Sequence, residues 1–540
     1  MCGIAGIITN DNLNTTKMDE LFNILKDGNK HRGPYFQGEK TVSKARFFHA
    51  RIPTQSSAII GQQPMLNNNT LITYNGDIYS DGRQKLEKIV GTQKDDSDTS
   101  LLLAGFNKLG AAVTNYLGST NEFSFCFFDA NDETVFVARD YSGNRPFFYV
   151  LEKDLFCFSS VSVPLIRAKQ KNLLHGEIKE LVPGYSISGT LPQLSVNRLP
   201  TIYSGLNTDL PFDNFVEQLY LLIEDAVRIR IPNKKFGVKN SGGLDSLSAF
   251  HLAKKILKEQ GRDVNEVVPV TVGKKDSPDV LAVLKYYKQF NITNYIIADI
   301  DEKELFASVP KVIEIVESRH INQIRLATIN MVMAEQFLKQ NIHVVLSGEG
   351  VEEVFGSYPD VFLAGYDPRV EKFYPKIKGL TLKESFEEMW HLFFSQRALT
   401  ERWRNDRIMT GMGINDRPYI TDKRIEDTVE RLYADGKIDQ YCRFIQPGRP
   451  IIDKYVMRLA MFRHGKLPKE FAFRPKLQGV VGTGAGTHDP DTGLFSKIIK
   501  DMGCNSFQDY IDKIFIDLGL DIPALAKPRE MTKIMGNDIN

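Results

Sequence analysis

The stretch Ser241-Gly242-Gly243-Leu244-Asp245-Ser246 decides the fold that we expect for the second half of this chain. It follows a short apolar run at 236–238 and precedes an amphipathic stretch, 247–258, whose apolar residues recur at helical spacing. The predicted order is strand, glycine turn, helix. Two glycines let the backbone approach an anion closely, and the first turn of a helix offers free N–H groups and a positive dipole end. This combination predicts a phosphate-binding loop.

Three further apolar runs follow at 267–272, 295–298 and 343–346, with helical patterns between them. This alternation predicts a parallel sheet with right-handed crossovers, whose ligand site lies beyond the carboxyl ends of the strands. Distinctive residues follow two of these ends, at Val272 and in Ser347-Gly348-Glu349-Gly350. No lysine follows the second glycine of the first loop, so the loop is not of the GxxxxGK[ST] type.

Length and composition set the broad class of the protein. A chain of 540 residues is too long for one core and predicts two or three domains. The near balance of 68 Lys+Arg against 67 Asp+Glu gives no reason to expect nucleic acid or a membrane surface as a partner. No apolar run is long enough to cross a bilayer, and the first residues lack the segments of a signal peptide. Five scattered cysteines indicate reduced thiols and predict a cytoplasmic location.

Cys2 is the candidate nucleophile of the first half. Removal of Met1 would place a thiol and an α-amino group on one residue, and such an amine has an unperturbed pKa of about 7.7–8.0. The amine could then serve as the general base of its own thiol. A buried structural cysteine is the alternative interpretation, and the motifs that follow argue against it.

The first 200 residues resemble class II glutamine amidotransferases, a family of N-terminal-nucleophile hydrolases. The segments that carry the resemblance, in family order, are Met1-Cys2-Gly3-Ile4-Ala5-Gly6-Ile7, His31-Arg32-Gly33-Pro34, His49-Ala50-Arg51-Ile52, Tyr74-Asn75-Gly76-Asp77-Ile78-Tyr79, Ser97-Asp98-Thr99, and Arg139-Asp140 with Gly143 and Arg145-Pro146. Two positions depart from the family pattern. Tyr35 stands where Asp is usual, and Asp77 replaces Glu and is one methylene shorter.

This resemblance implies that Cys2 is the nucleophile and that the Asn75 side chain and the Gly76 N–H form an oxyanion hole. Arg51 would bind the α-carboxylate of glutamine, and Asp98 would bind its α-amino group. These residue types suit the task, because amide hydrolysis needs a thiolate and oxyanion donors and a free amino acid needs one charge of each sign. The implied glutamine-binding residues are Arg51, Ile52, Asn75, Asp77 and Asp98.

The second half resembles the N-type ATP pyrophosphatases. Across nearly the whole chain, the resemblance is to glutamine-hydrolysing asparagine synthetases. The family segments SGGLDS, VGxxxSPD, SGEGSDEVFGGY, DRMSMAHGLEVRVPFLD and LPxxIxWRPK correspond to 241–246, 272–279, 347–358, 405–422 and 467–476. The chain departs from the family pattern where Asn240 replaces Leu, Val351-Glu352 replaces Ser-Asp, and 317–320 reads Glu-Ser-Arg-His in place of Glu-Thr-Tyr-Asp.

The same resemblance implies roles for the residues of the second half. The implied ATP-binding residues are Asn240, Ser241, Gly242, Gly243, Asp245, Ser246, Val272, Ser347, Gly348 and Glu349. Asp245 and Glu352 would hold Mg²⁺, because this ion usually takes one or two protein carboxylates together with phosphate oxygens. Glu317 would act in acyl transfer, and Lys476 would contact the pyrophosphate or the transition-state charge. For Lys476, an ordinary solvated lysine is the alternative.

We therefore expect two domains and a short tail. Residues 2–200 would form an α+β four-layer sandwich of the N-terminal-nucleophile hydrolase type, followed by a linker at 201–212. Residues 213–524 would form an α/β domain with a parallel sheet of the ATP-pyrophosphatase type and added helices. Residues 525–540 would be the tail.

The implied function is ATP-dependent amidation of a carboxylate with ammonia taken from glutamine, with aspartate as the favoured acceptor. Departures near Glu317 and Glu352 leave a different carboxylate acceptor open. An inactive scaffold or binding protein is a third hypothesis. The intact residues that argue against it are Cys2, Asn75, Asp98, Asp245 and Lys476. The expected small molecules are glutamine, ATP, Mg²⁺ and the acceptor acid. The oligomeric state stays open, with a homodimer among the arrangements considered.

Overall fold

The computed structural model describes residues 2–13, 15–52, 54, 60–92, 97–200, 203–356, 384, 401–444, 452–477, 479–486, 499 and 502–520. Antiparallel sheets make up the first part of the chain, and a parallel sheet with helices makes up the second. The expected two-domain architecture is therefore confirmed. The predicted domain boundaries remain predictions, and the predicted tail at 525–540 lies outside the described residues.

The amino-terminal domain contains two six-stranded antiparallel sheets. Its strands are β1 (Gly3–Thr9), β2 (Phe36–Val42), β3 (Ala45–Arg51), β4 (Met65–Asn67), β5 (Thr70–Asp77), β6 (Glu122–Asp129), β7 (Thr134–Arg139), β8 (Phe148–Leu151), β9 (Leu155–Ser159), β10 (Lys179–Glu180), β11 (Tyr185–Thr190) and β12 (Gln193–Arg198). The strand orders are β10-β8-β9-β1-β3-β2 and β12-β11-β7-β6-β5-β4. The sequence has short β-rich runs at 123–129, 135–138 and 155–159, which predict strands, and the structure has β6, β7 and β9 there.

Apolar side chains explain how these two sheets pack. Ile4 and Phe47 of the first sheet share one buried cluster with Phe128 and Val137 of the second. The helices of this domain are α1 (Thr16–Asn29), α2 (Ser80–Val90), α3 (Asp98–Leu109), α4 (Thr114–Leu117) and α5 (Val163–Gln170). Apolar residues of α1 and α5 pack on the first sheet, and those of α2 and α3 pack on the second. The ends of β1, β3 and β5 thereby meet in one place.

The carboxyl-terminal domain is organised around a five-stranded parallel sheet. Its strands are β13 (Phe236–Lys239), β14 (Val267–Val272), β15 (Ile296–Ala298), β16 (Val344–Ser347) and β17 (Asn415–Pro418), in the order β15-β14-β13-β16-β17. The four predicted runs are confirmed as β13 to β16. The fifth strand, β17, was not predicted, because its four residues are polar or proline and carry no apolar signal. A small hairpin adds β18 (Arg443–Phe444) and β19 (Ile452–Asp453).

Helices surround this sheet and form two large apolar clusters with it. They are α6 (Phe212–Arg228), α7 (Leu244–Glu259), α8 (Pro278–Gln289), α9 (Glu302–Ala307), α10 (Val309–Val316), α11 (Ile321–Lys339), α12 (Val351–Phe355), α13 (Glu401–Gly411), α14 (Lys423–Ala434), α15 (Ile438–Tyr441), α16 (Tyr455–Arg463), α17 (Lys469–Ala472), α18 (Gly479–Gly482) and α19 (Phe507–Asp517). Helix α6 begins at Phe212, directly after Pro211. Within the described parts of the chain, no helix has the length and apolar character needed to cross a membrane.

Candidate active sites

The first candidate site lies where β1 and β5 meet. Cys2 is buried just before β1, and its backbone N–H donates a 2.8 Å hydrogen bond to Asn75 Oδ1 in β5. The other polar atom of this amide, Asn75 Nδ2, is buried and has no hydrogen-bond partner among the residues that the structure describes. A buried donor without a partner is costly unless a ligand uses it. Asn75 therefore offers a donor beside Cys2, as an oxyanion hole requires.

The thiol of Cys2 is activated by its neighbours. Burial alone would raise its pKa, but His49 and the backbone N–H of Ile52 stabilise the thiolate and lower the pKa to about 6. His49 lies on β3, directly opposite Ile4 of β1, and its Nε2 is 3.1 Å from the Tyr74 carbonyl oxygen. A large fraction of Cys2 is thus nucleophilic at neutral pH. Sequence reasoning quoted His49 only as part of a motif and assigned it no role.

The predicted glutamine-binding charges lie close to this thiol. Asp98 is the first residue of α3, and its Oδ2 accepts a 2.9 Å hydrogen bond from the Ile78 N–H. Burial raises the pKa of Asp98 to about 7. Gly61 has a φ of +73°, and a Cβ there would lie 2.9 Å from Ser97 Cβ and 3.3 Å from Arg51 Nη2. Arg51 and Ser97, which precedes α3, therefore both lie beside Gly61. The Asp98 carboxylate itself is paired with Arg83, whose Nη1 lies 3.1 Å from Asp98 Oδ1.

Asp77, a predicted glutamine-binding residue, contacts two residues of the carboxyl-terminal domain. Its Oδ1 is 2.7 Å from Arg417 Nη2, and its Oδ2 is 2.9 Å from Asn415 Nδ2, both in the carboxyl-terminal domain. Arg145 Nη2 lies 3.5 Å from the same Oδ2. Burial would raise the pKa of this carboxyl, but Arg417 and Arg145 hold it well below its usual range. The side chain of Asp77 therefore joins the two domains, and its contact with glutamine stays a prediction.

The second candidate site is the glycine turn between β13 and α7. Gly242 has a φ of +70°, and a Cβ there would lie only 3.0 Å from Ala282 Cβ. The Ser241 N–H donates to Ser246 Oγ at 3.0 Å, and the Gly242 N–H donates to Asn240 Oδ1 at 3.1 Å. Asn240 Nδ2 in turn donates to the Tyr287 hydroxyl at 3.0 Å. Asn240 stands where the resembled family has Leu. Its hydrogen bonds to Gly242 and Tyr287 therefore help to shape the glycine turn.

Two predicted metal ligands meet beside this turn. Lys454 Nζ lies 2.6 Å from Asp245 Oδ2 and 3.1 Å from Glu352 Oε1, and Lys476 contacts Glu352 as well. A Cβ on Gly348 would lie 2.6 Å from the Asp245 backbone, so the two loops touch. Burial and the nearby Glu352 raise the pKa of Asp245 to about 6. Despite burial, Lys454 and Lys476 hold the pKa of Glu352 well below its usual range.

This carboxylate pair fits Mg²⁺, which binds oxygen ligands and commonly takes two carboxylates with phosphate and water oxygens. No group of three or more His, Cys, Asp or Glu side chains with metal-site geometry occurs in the described part of the chain. Asp245 and Glu352 would therefore share the ion with a bound triphosphate. Lys454 is a further cation at this site that sequence reasoning missed. It precedes α16 with a φ of +51°, and no motif marked it.

The remaining predicted nucleotide residues lie at the carboxyl ends of β14 and β16. Val272 ends β14, and Ser347 ends β16 and donates to Asp416 Oδ2 at 2.8 Å. Glu349 accepts a 2.6 Å contact from Lys239 Nζ. The structure thus gathers the predicted ATP-binding residues at one edge of the sheet, as the position of ligand sites in parallel sheets predicts.

Glu317 lies in the interface between the domains. It has a φ of +55° after α10, and its carboxylate accepts from the Ser162 N–H at 3.0 Å, Ser162 Oγ at 2.7 Å and the Val163 N–H at 2.9 Å. Arg407 pairs with the same carboxylate. These contacts cap the amino terminus of α5 in the other domain. They stabilise the buried charge of the Glu317 carboxylate without any acceptor acid. A role of Glu317 in acyl transfer stays a prediction.

The structure combines a buried thiol of lowered pKa in one domain with a glycine turn beside paired carboxylates in the other, and this combination indicates a class of protein. The class is a glutamine-dependent ligase built from an amidotransferase domain and a nucleotide-binding domain. Two family models match accordingly. The model described as glutamine amidotransferase domain matches residues 1–190, and the model described as asparagine synthase matches residues 218–535.

The chain belongs to the asparagine synthase family. A probable glutamine-hydrolysing asparagine synthetase of Acanthamoeba polyphaga mimivirus is 27% identical over 465 residues, which cover 79% of this chain and 75% of the relative. The glutamine-hydrolysing asparagine synthetase of Gallus gallus is 25% identical over 563 residues, which cover 98% of this chain and 90% of the relative. These matches confirm the family resemblance that the sequence motifs indicated.

Proposed function

We propose that this protein is a glutamine-hydrolysing ligase that makes an amide from a carboxylic acid, with aspartate as the favoured acceptor. The observation that carries the proposal is the geometry at Cys2, where a thiol with a pKa of about 6 lies beside an unpartnered amide donor of Asn75. The layered sheets and helices around Cys2 support an N-terminal-nucleophile hydrolase fold for this domain. The family membership supports ATP as the second substrate.

In the first reaction, the thiolate of Cys2 attacks the side-chain amide carbon of glutamine. Asn75 Nδ2 and the Gly76 N–H receive the negative charge that develops on the amide oxygen. The C–N bond then breaks as the leaving nitrogen takes a proton from the α-ammonium group of Cys2 and departs as ammonia, and water hydrolyses the thioester to glutamate. Arg51 and Asp98 hold the substrate by its α-carboxylate and α-amino groups.

In the second reaction, an oxygen of the acceptor carboxylate attacks the α-phosphorus of ATP, and pyrophosphate leaves. Ammonia then attacks the acyl carbon, the bond to AMP breaks, and the amide is released. The turn at Ser241–Ser246 and the cations Lys454 and Lys476 would bind the pyrophosphate. Mg²⁺ held by Asp245 and Glu352 would neutralise triphosphate charge when bound.

An acceptor screen tests this proposal. Purified protein with glutamine, ATP and Mg²⁺ would be given single carboxylic acids, and AMP, pyrophosphate, glutamate and amide would be measured. We expect equal amounts of AMP and pyrophosphate, with aspartate the best acceptor. A Cys2→Ala variant should lose activity with glutamine and keep activity with ammonium chloride. Release of ADP would contradict the chemistry, and turnover with another acid alone would replace aspartate. No turnover with any acid would favour an inactive scaffold.

A further inference from the structure

Strand β17 touches the amino-terminal domain at the strand that carries the oxyanion hole. Its Asn415 and Arg417 each bind one carboxylate oxygen of Asp77, at 2.9 and 2.7 Å. Asp77 follows Asn75 by two residues in β5, and such residues share one face of a strand. The side chain that anchors the end of β5 therefore lies beside the one that supplies the oxyanion donor.

The contact of Asp77 with Asn415 and Arg417 is buried, and burial makes its loss energetically costly. Asp77, Asn415 and Arg417 are each at most 1% exposed. A buried carboxylate without its hydrogen-bonding partners is strongly unfavourable, so removing one partner is expected to move the group or its strand. The contacts from Asn415 and Arg417 of β17 are shorter than the 3.5 Å contact from Arg145 of the same domain as Asp77. The end of β5 is therefore held in part from the other domain.

The nucleophile is held from the same side. Arg32 Nε donates a 3.2 Å hydrogen bond to the carbonyl oxygen of Cys2, and Arg32 Nη2 forms a 2.9 Å ion pair with Asp406 Oδ2. Asp406 lies in α13, the helix that leads into β17. Cys2, through Arg32, and strand β5, through Asp77, are thus both held by the same part of the carboxyl-terminal domain. That part consists of α13 and β17.

We propose that Asn415 and Arg417 are positioning residues for glutamine hydrolysis. They act through Asp77 and hold Asn75 and Gly76 where the oxyanion forms, and the Arg32–Asp406 pair fixes Cys2 opposite them. The inference rests on the proposed glutaminase reaction. Its physical basis is that oxyanion donors work only when they are already in place, and small displacements of reacting groups cost large factors in rate. The amidotransferase site is therefore completed by the nucleotide-binding domain.

The test compares full-length wild-type protein with an Asn415→Ala variant. Glutamate release would give kcat and KM for glutamine, and the rate of Cys2 alkylation by iodoacetamide would report the thiolate alone. Because the positions of the oxyanion donors affect the transition state more than substrate binding, we expect kcat to fall about tenfold with KM changed less than about twofold. The alkylation rate should be unchanged.

The control is Ser142→Ala, which removes a buried hydrogen bond of 2.8 Å between the domains, to Glu426 of α14, that lies outside both β5 and β17. Its glutaminase activity should match the wild type. Should Asn415→Ala not fold, Arg417→Lys and Arg417→Gln provide a second comparison, in which Lys should retain more kcat than Gln because it keeps the charge. Unchanged kcat in the folded Asn415→Ala variant, or an equal loss in Ser142→Ala, would overturn the inference. If wild-type protein released no glutamate, the proposed function itself would fail before any variant was compared.

Discussion

At the scale of single residues, the histidine beside Cys2 is the feature with the clearest chemical consequence. His49 is the largest influence that lowers the pKa of the Cys2 thiol, against a burial effect that alone would raise it. Burial instead raises the pKa values of the other buried cysteines, Cys126, Cys157 and Cys442. Among the four buried thiols, Cys2 is therefore the one that is largely ionised at neutral pH.

We predict that iodoacetamide alkylates Cys2 with a half-maximal rate near pH 6 and that His49→Asn moves this midpoint upward, toward the ordinary value of 9.0. The thiolate is the reactive form, so the rate follows its fraction. Mass spectrometry of the alkylated peptide measures the effect, with Cys2→Ala as the blank. An unchanged midpoint in His49→Asn would show that another group activates the thiol.

A second prediction concerns Asp98, whose pKa burial raises to about 7. Binding of an ammonium group requires the ionised carboxylate, so a group that stays protonated below its raised pKa weakens glutamine binding there. The KM for glutamine should rise about tenfold between pH 8 and pH 6, because the ionised fraction falls by that factor. Steady-state kinetics over this range separates the change in KM from the change in kcat that follows the Cys2 thiol.

In Asp98→Asn, the loss of a charged hydrogen bond of about 1.5–3 kcal/mol should raise KM by about 10- to 150-fold and remove its dependence on pH. A pH-dependent KM that survives this substitution would assign the titration to another group.

Residue types in motifs were readable from sequence at this scale, whereas isolated partners were not. Cys2, Asn75 and Asp98 stand in recognisable segments. His49 shares a strand face with Arg51, and that alternation was the one available signal for it. Lys454 lies 22 residues before Lys476 and reaches Asp245 only through the fold. No local pattern marks such a contact.

At the scale of elements, the strands predicted from apolar runs were found, and the polar strand was not. A buried parallel strand normally reads as an apolar run. In β17, the side chains of Asn415, Asp416 and Arg417 are buried against polar partners rather than against apolar side chains. The hydrophobic periodicity of the sequence therefore gives no signal for this strand. The contacts of Glu317 with Ser162, Val163 and Arg407 likewise join distant parts of the chain, so the sequence gives no sign of them.

The contact between α10 and α5 gives a third prediction. Replacing Glu317 with Gln removes a buried charge that pairs with Arg407 and caps α5, and should destabilise the protein by about 3–5 kcal/mol. Thermal unfolding measures this loss. Glu314→Gln is the matched control, because Glu314 joins the same two helices through an exposed 3.7 Å pair with Arg167. The control should change stability by less than about 1 kcal/mol.

The alternative role of Glu317 in acyl transfer predicts the opposite pattern. In that case Glu317→Gln would keep its unfolding temperature and its glutaminase rate, and would lose only ammonia-dependent amide formation. Measuring all three quantities on one preparation decides between the two roles.

At the scale of the whole molecule, β17 connects the two candidate sites. Asn415 and Arg417 point to Asp77, while Asp416, between them, accepts a 2.8 Å hydrogen bond from Ser347 of the nucleotide edge. Alternate residues of a strand face opposite sides, so one short segment serves both domains. If nucleotide binding moved Ser347, the movement would therefore pass through Asp416 to its chain neighbours, Asn415 and Arg417. These two residues contact strand β5.

The fourth prediction follows from this connection. A Mg²⁺ complex of α,β-methylene-ATP should change the glutaminase kcat of wild-type protein about fivefold, the lower range of ordinary coupling between two sites. Asn415→Ala should show little of this response, while binding the analogue with the wild-type affinity in calorimetry. An equal response in both proteins, or none in the wild type, would exclude β17 as the connecting element.

The two-domain organisation itself was within reach of the sequence, since each half carries several motifs in a fixed order. The mutual dependence of the halves was not, because it resides in pairs such as Asp77 with Arg417 that are 340 residues apart. Charge pairs buried between domains leave no trace in local composition. They are visible only when the chain is folded.

The cap that Glu317 places on α5 bears on how this protein could be re-engineered. A chimera could replace residues up to about 200 with those of a relative. It would lose both the contact of Glu317 with α5 and the contact of β17 with Asp77, unless the replacement carried matching groups at both places. A successful domain exchange would therefore need a fusion point within the second domain. The exchanged part would have to include α10, α13 and β17.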